Sequence, residues 1–414
     1  MDSLVRRHAL SVVREAMADT PLVVIQGARQ VGKSTLAHMA TTEVDARFVT
    51  LDDPATLDLA IDDPRALVAQ HRSGTLIIDE AQRAPGLILP LKAEIDSVRR
   101  PGRFILTGSA DLLQVKGVGD SLAGRAETVN LAPFSVGELS GRSEPEDFLG
   151  WLRAGRLDGT FTALDPAMVI RGGYPEATAR TEARARRWLT EYAARLATHD
   201  ARELAGRGYA DHLLRLLQYI AAAGQSELVK ASLARHLDVA ESTVDGYLRV
   251  MRAMHLVVEL PGWSRSSLRR VVKRSKFGLL DTGLSSALSG LNLEAARAPG
   301  GREHYGSLVE QFVAVELTKQ QNWSSDPCSL FHLRDADGFE VDLVAETTDG
   351  QVLAIEIKAT TTPTSTHARN LVRLRERLPD RQVTGVLLHA GEGEVVTRHG
   401  WLHQIPITAL WEHP

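Results

Sequence analysis

The stretch VIQGARQVGKSTLAHMA, Val24 to Ala40, decides how the chain is to be read. Within it Gly27-Ala28-Arg29-Gln30-Val31-Gly32-Lys33-Ser34 runs from a glycine through four free positions to Gly-Lys-Ser. The apolar LVVI before it predicts a strand, and STLAHMA after it predicts a helix. A glycine-rich loop between a strand and a helix cradles phosphates, because its backbone N–H groups turn inward and the helix N-terminus adds partial positive charge. Gly27, Ala28, Arg29, Gln30, Val31, Gly32, Lys33, Ser34 and Thr35 are therefore the expected ATP contacts. Lys33 is placed to neutralise β- and γ-phosphate oxygens, and the Ser34 hydroxyl to ligate Mg²⁺.

A partner motif follows. TLIIDEAQ is an apolar strand ending in Asp79-Glu80. Asp79 is expected to hold Mg²⁺ through water, and Glu80 to polarise the attacking water as general base. RFILTGSA is a further strand whose polar tip, Thr107, is positioned to orient that water between the two motifs. A helical stretch, ADLLQVKGVGDSLAG, then leads to Arg125 just before another strand.

These features in this order resemble the AAA+ ATPase superfamily. The resemblance implies that Arg125 reaches the γ-phosphate bound by a neighbouring subunit, and hence a homo-oligomer; the alternative for Arg125 is a surface or ion-paired arginine. The helical region shows no convincing second sensor arginine.

Composition bounds the rest. A chain of 414 residues calls for two to four domains. No apolar run approaches the ~18 residues of a membrane span, and no secretory signal opens the sequence. The one cysteine, Cys328, excludes an internal disulfide or a cysteine-rich metal site. These features predict a cytoplasmic protein without membrane contact. Formal net charge is −4, so any nucleic-acid contact must come from a local basic patch. Eight of the 48 basic residues are lysine, so each lysine stands out.

Along the chain, residues 1–140 alternate apolar runs with helical stretches, the pattern of a parallel α/β sheet. Residues 141–208 read as a helical lid and 209–276 as a winged-helix-like region. Residues 277–414 change to helix and strand pairs, an α+β domain. Beyond the P-loop, the segments LDDP, IIDEAQ, LTGSADLL, SLAGRAETVNLAPFSVGEL, IRGGYPEA and FGLLDTGLSSAL resemble a prokaryotic family of ATP-binding proteins. That family joins an AAA+-type module to a C-terminal domain of unknown function, number 4143. The likeness spans nearly the whole chain and implies architecture rather than a biological role.

In the middle region, LARHLDVAESTVDGYLRVM has helix-turn-helix spacing. Val244, Tyr247, Leu248 and Met251 share one helical face and are expected in the core. Glu241 and Asp245 at the leading end suit DNA phosphates poorly. Downstream, SRSSLRRVVKRSK carries Arg265, Arg269, Arg270, Lys273, Arg274 and Lys276 without an acid, where a wing would lie. This run, residues 265–276, is the expected contact with DNA, together with the C-terminal domain; a solvated hairpin or a subunit contact are the other readings.

The C-terminal region holds a second constellation. Glu310 lies on the helical LVEQFVAVEL, and GFEVDLVAETTDGQVLAIEIKAT reads as two strands turning at Asp349-Gly350. Period-two geometry puts Glu340 and Asp342 on one face of the first strand, and Glu356 and Lys358 on one face of the second. An acid opposite Glu-x-Lys suits a metal-dependent phosphodiesterase. The carboxylates and the Ile357 carbonyl would hold Mg²⁺ or Mn²⁺, and Lys358 would lower the pKa of a metal-bound water. The set resembles the PD-(D/E)xK nuclease superfamily: Glu310 matches its helical acid, Asp342 its aspartate (Val341 replaces the proline), and Glu356 with Lys358 its final pair. The alternative is a degenerate nuclease fold kept for binding or packing. His399, His403 and His413 are expected at the surface, and Cys328 in a loop without a catalytic role.

The reading is an α/β protein. It comprises an AAA+-type P-loop parallel sheet, a helical lid and winged-helix region, and an α+β restriction-endonuclease-like domain. Either ATP governs a nucleic-acid-directed nuclease module, or the chain is an ATP-dependent switch whose C-terminal fold only binds.

Overall fold

The computed structural model describes residues 4–109, 122–200, 210–266, 270, 273–335 and 337–414. Most of the helical stretch expected over 110–124, and Arg269 of the basic run, lie outside the described residues. Contacts divide the chain into two compact units: Met1–Phe134 with Arg252–His255, and Ser135–Met251 with Leu256–Pro414.

The first unit is built on the five apolar runs legible in the sequence. They form β1 (Leu22–Gln26), β2 (Ala46–Thr50), β3 (Thr75–Asp79), β4 (Phe104–Gly108) and β5 (Ala126–Asn130). The sheet has the order β2-β3-β4-β1-β5, and every pairing in it is parallel. Residues of β1, β3 and β4 are buried throughout, whereas β2 and β5 at the edges are mixed. Continuous apolar runs are what a parallel strand covered on both faces requires. Helices α1 (Ala9–Asp19), α2 (Lys33–Ala40) and α3 (Ile88–Ser97) belong to this unit. Because β1 lies between β4 and β5, the loop after it opens into a crevice at the C-terminal ends of the strands, where such sheets bind ligands.

In the second unit, α4 (Glu182–Arg195) precedes a run of α5 (Ala210–Ala223), β7 (Ser226–Glu227), α6 (Lys230–Leu237), α7 (Glu241–Ala253), β8 (Val257–Leu260) and β9 (Lys276–Leu279). The three short strands form a sheet of order β7-β9-β8. On α7 the residues expected inside are inside: Val244, Tyr247, Leu248 and Met251 are no more than 1% exposed. The boundary expected between 276 and 277 falls within β9, which pairs with both β7 and β8. A small earlier strand, β6 (Thr160–Phe161), pairs with β14 (Gly393–Glu394) near the end of the chain.

Helix α8 (Thr282–Ser289) and helix α9 (Arg302–Gln320) lead into a six-stranded mixed sheet. Its strands are β10 (Ser329–Arg334), β11 (Glu340–Glu346), β12 (Val352–Lys358), β13 (Val383–His389), β15 (Val396–Arg398) and β16 (Leu402–Pro406), in the order β10-β11-β12-β13-β16-β15. Val309, Phe312 and Val313 of α9 pack with Leu353, Ile355 and Ile357 in one core. Val344, Val352 and Ala354 pack with Leu371 and Leu374 of α10 (Arg369–Arg377) in another. Each face of the sheet is therefore covered.

Two histidines expected at the surface are buried. His403, on β16, bonds through Nδ1 to the Thr397 hydroxyl at 2.9 Å. His413 accepts from the Asp147 N–H at 3.3 Å, beside Phe148 and Trp151. Chain-end position says nothing about burial when the last residues dock into a core. His399 is exposed. Cys328 precedes β10 in irregular backbone but is buried, which pushes its thiol up to about 11.

Candidate functional site

The loop after β1 has the conformation that its glycines permit. A Cβ on Gly27 would stand 2.1 Å from the Leu131 carbonyl oxygen, and Gly32 caps α2 at φ +95. Ala28 and Val31 are buried, while Arg29, Gln30 and Thr35 are exposed. The Lys33 ammonium lies inside the loop, donating to the carbonyls of Gly27 at 3.1 Å and Ala28 at 2.9 Å. Burial lowers its pKa to about 8, against the pull of Glu80 and Asp79. Arg7 was missed by the motif reading. Its guanidinium donates to the carbonyls of Val31 and Ala132, each at 2.7 Å, and packs over Phe134. It ties the loop to the segment after β5, a tertiary role that local spacing cannot reveal.

At the tip of β3, Asp79 gathers three hydroxyls. Ser34 Oγ donates to Oδ1 at 2.7 Å, Thr107 Oγ1 donates to the same oxygen, and Thr50 Oγ1 stands 3.5 Å from Oδ2. Thr107 does sit between the two motifs, because β4 lies between β1 and β3. Its proton is committed to Asp79. Glu80 adopts a left-handed backbone, φ +56, unusual for a residue with a side chain. Its carboxylate accepts from Gln82 Nε2, which also lies 3.1 Å from Ser109 Oγ at the end of β4. The donor set fits Mg²⁺ and a nucleotide: adjacent hydroxyl and carboxylate oxygens, a mobile amine, and a loop open at a helix N-terminus.

Arg125 stands at the other edge of the sheet. The β1–β5 register pairs Leu22 with Ala126 and Gln26 with Asn130. Arg125 precedes Ala126 and is level with Pro21, thus about 20 Å down the strand axis from Gly27, six steps of about 3.3 Å. It binds Asp96 on α3 through Nε at 2.6 Å and Nη2 at 3.1 Å, and that contact holds the Asp96 carboxyl below its usual range. Held by Asp96, its side chain does not reach the loop after β1.

In the C-terminal sheet Asp342, Glu356 and Lys358 meet. The β11–β12 ladder runs only to the Leu343–Ile355 pair. Past that point the Ile357 N–H donates instead to Asp342 Oδ2 at 2.8 Å. Lys358 Nζ lies 2.8 Å from Glu356 Oε1 and 3.4 Å from Asp342 Oδ2. Glu356 Oε2 is buried without a hydrogen-bond partner. Burial, then Asp342, raises the Glu356 pKa to about 8; the same two causes raise Glu310 to about 7. Burial opposes the Lys358 charge, but Asp342 and Glu356 outweigh it and its pKa rises. Glu310 thus feels the cluster electrostatically. Yet among the described residues no group of three His, Cys, Asp or Glu side chains is assembled to hold a metal ion. The oxygen donors suit a hard cation, but a three-carboxylate cage is not formed.

Glu340 points to a different partner, Lys276 of β9, at 2.7 Å. Lys276 is buried, its charge sustained against burial by Glu340 and Asp342. This overturns its place in the basic DNA-contacting run, and much of that run goes the same way. Arg265 pairs with Asp380 at 2.7 Å, Arg270 with Glu346 at 2.6 Å and Lys273 with Asp335 at 3.4 Å. The cause is topological. Residues 261–263 hydrogen-bond with His332 of β10, so this segment covers the edge of the sheet and presents its charges to the sheet's acids. Arg274 remains exposed.

Comparison with known proteins places these features in families. Residues 19–140 match the AAA domain, 166–295 a domain of unknown function (DUF8612), and 305–410 a domain of unknown function (DUF4143). The second match runs across the boundaries expected at 208 and 276. Uncharacterized protein Rv2008c of Mycobacterium tuberculosis is 30% identical over 391 residues, covering 94% of this chain and 80% of that protein. Uncharacterized protein Mb2031c of Mycobacterium bovis matches with the same figures: 30% over 391 residues, 94% and 80%. Among solved structures, the Walker-type ATPase PABY2304 of Pyrococcus abyssi is 18% identical, covering 69% of this chain and 96% of that one at a TM-score of 0.43. A likeness that slight carries no argument. No described helix is long and apolar enough to cross a membrane.

Proposed function

The chain belongs to the prokaryotic family that joins an N-terminal AAA-type ATP-binding domain to a C-terminal domain of unknown function 4143. From that premise we propose that it hydrolyses Mg-ATP and that the nucleotide cycle governs a nucleic-acid-directed C-terminal module with metal-dependent nuclease chemistry. In the first unit Lys33 binds phosphate oxygens, Ser34 and Asp79 orient the Mg²⁺ shell, and Glu80 accepts the proton of the attacking water. Arg125 completes the site of a neighbouring copy in a homo-oligomer.

The observation that carries the nuclease reading is the Asp342–Lys358–Glu356 contact with its unpartnered Glu356 Oε2. A buried acceptor without a donor calls for a proton or a cation. A divalent ion there, Mg²⁺ or Mn²⁺, would supply Lewis acidity toward a phosphate oxygen. The chain's own part is to orient the Asp342 carboxylate through the Ile357 N–H and that of Glu356 through Lys358, and to place the Lys358 cation against developing phosphate charge. The test is cleavage of single- and double-stranded DNA with Mg²⁺, with and without ATP, in wild type and Glu356→Ala. Cleavage lost in the variant supports the nuclease. No cleavage by wild type under any condition leaves the ATPase and removes the nuclease.

A second reading has its own support. Lys276 and Lys358 already offset the acids internally, and no three-carboxylate group is assembled among the described residues. On that reading the chain is an ATP-dependent switch whose C-terminal fold binds nucleic acid or a protein without cutting.

A further inference from the structure

We propose that the exposed face of α4, and not the 265–276 run, docks the phosphodiester backbone of a nucleic acid, without regard to its sequence. The proposal rests on the nucleic-acid part of the reading above and names the surface that serves it. Two observations favour α4. The first is the pairing already described, which commits Arg270, Lys273 and Lys276 to acids at buried or half-buried positions and pairs Arg265 with Asp380 at the surface.

The second is the helix itself. Ala185, Leu189, Tyr192 and Ala193 bury one side of α4. Arg184, Arg187 and Arg195 recur at helical spacing on the opposite side, all exposed. Among the described residues none of these three has an ion-pair partner, and Glu191 is the one acid on their face. Arg180, itself paired with Glu176 at 2.6 Å, leads into the face from the preceding turn, and with Arg184, Arg187, Trp188 and Glu191 it lines a shallow groove of about 550 Å³, so the unpaired charge of the face comes from α4. Arg180 lies over the Trp188 ring at 5.6 Å, and Trp188 stacks on Tyr192 at 5.2 Å and 8°. Trp188 is therefore committed to holding the groove wall and is not a free platform for base stacking. What remains is a row of guanidinium groups, each suited to phosphate oxygens. Contacts of that kind position a backbone and carry no base information.

The test uses the full chain and fluorescent single- and double-stranded oligonucleotides of mixed sequence, titrated over a salt series. Arg184→Gln/Arg187→Gln/Arg195→Gln should lose affinity equally across sequences. Its log–log salt slope should fall by about 0.9 for each duplex phosphate contact removed, hence by about 2 to 3. Glutamine keeps helix propensity, and unchanged thermal unfolding and ATP hydrolysis confirm an intact fold. Arg265→Gln/Arg274→Gln should bind as wild type does. A triple variant with wild-type affinity and slope overturns this surface while leaving nucleic-acid binding by the protein in place. A wild-type chain that binds neither oligonucleotide at low salt, or binds only anionic vesicles, overturns both.

Discussion

Gln82, two residues beyond Glu80, donates its side-chain amide to the Glu80 carboxylate and reaches Ser109 Oγ at 3.1 Å. Glu80 is already in a left-handed backbone conformation, so its aim depends on what its side chain touches. Gln82 links the proposed catalytic base to the end of β4, the strand between the phosphate loop and Asp79. Gln82→Ala should lower kcat for ATP by about tenfold to a hundredfold and leave KM nearly unchanged, since it touches no phosphate-binding group. Steady-state kinetics read this directly; a rise in KM at constant kcat would place Gln82 in binding instead.

The Arg125–Asp96 ion pair makes the proposed homo-oligomer testable. If Arg125 serves a neighbour, Arg125→Ala should bind ATP normally and lose about 10³-fold or more in hydrolysis. Mixing it with Glu80→Gln subunits should restore part of the activity at hybrid interfaces. A strictly monomeric chain with full ATPase activity contradicts the assignment.

Glu346 anchors the segment that covers the sheet edge. It accepts from Arg270 at 2.6 Å, from the Trp263 indole at 3.2 Å and from Arg381 at 2.5 Å. Glu346→Ala strands two largely buried guanidinium groups and should destabilise the second unit toward the low end of about 3–5 kcal/mol. Urea denaturation measures it. A loss within about 0.5 kcal/mol would mean the pairs are surface contacts of little weight.

How far the sequence carried these conclusions differs by region. The five parallel strands, the loop and the Asp79–Glu80 tip were legible because each is a local pattern: an apolar run, a turn, a polar end. The α7 core residues were legible for the same reason, by helical period. What misled was charge. The 265–276 run looks like a free basic wing because its acidic partners, Asp335, Glu340, Glu346 and Asp380, lie 62 to 115 positions away in the chain. Arg7 was invisible because its partners are carbonyls, which any residue supplies. At the C-terminal site, strand alternation brought Asp342, Glu356 and Lys358 into view. It gave no warning that Glu340 would turn to Lys276.

The two raised carboxyls give the C-terminal site a pH signature. Glu310 and Glu356 titrate near 7 and 8 in the folded protein, against 4.5 for an ordinary glutamate. Between those values the native state holds more protons than the unfolded one, so stability falls as pH rises. Metal-free protein should therefore lose thermal stability from about pH 5 to pH 8, and Glu356→Gln should flatten that slope. Added Mg²⁺ or Mn²⁺ should recover stability at pH 8, and Asp342→Asn should abolish the recovery. A flat profile from pH 5 to 8 without metal contradicts the crowded-carboxylate account.

Hydrolysis of Mg-ATP at the Lys33–Asp79–Glu80 site is the claim on which the rest depends. The direct measurement is nucleotide occupancy and turnover on the same samples of wild type, Lys33→Ala and Glu80→Gln. Lys33→Ala should bind little Mg-ATP, because the one amine inside the loop is gone. Glu80→Gln should bind as wild type does and turn over at least about 10²-fold more slowly, because the amide keeps the shape and loses the base. Wild-type turnover by Glu80→Gln would contradict the account.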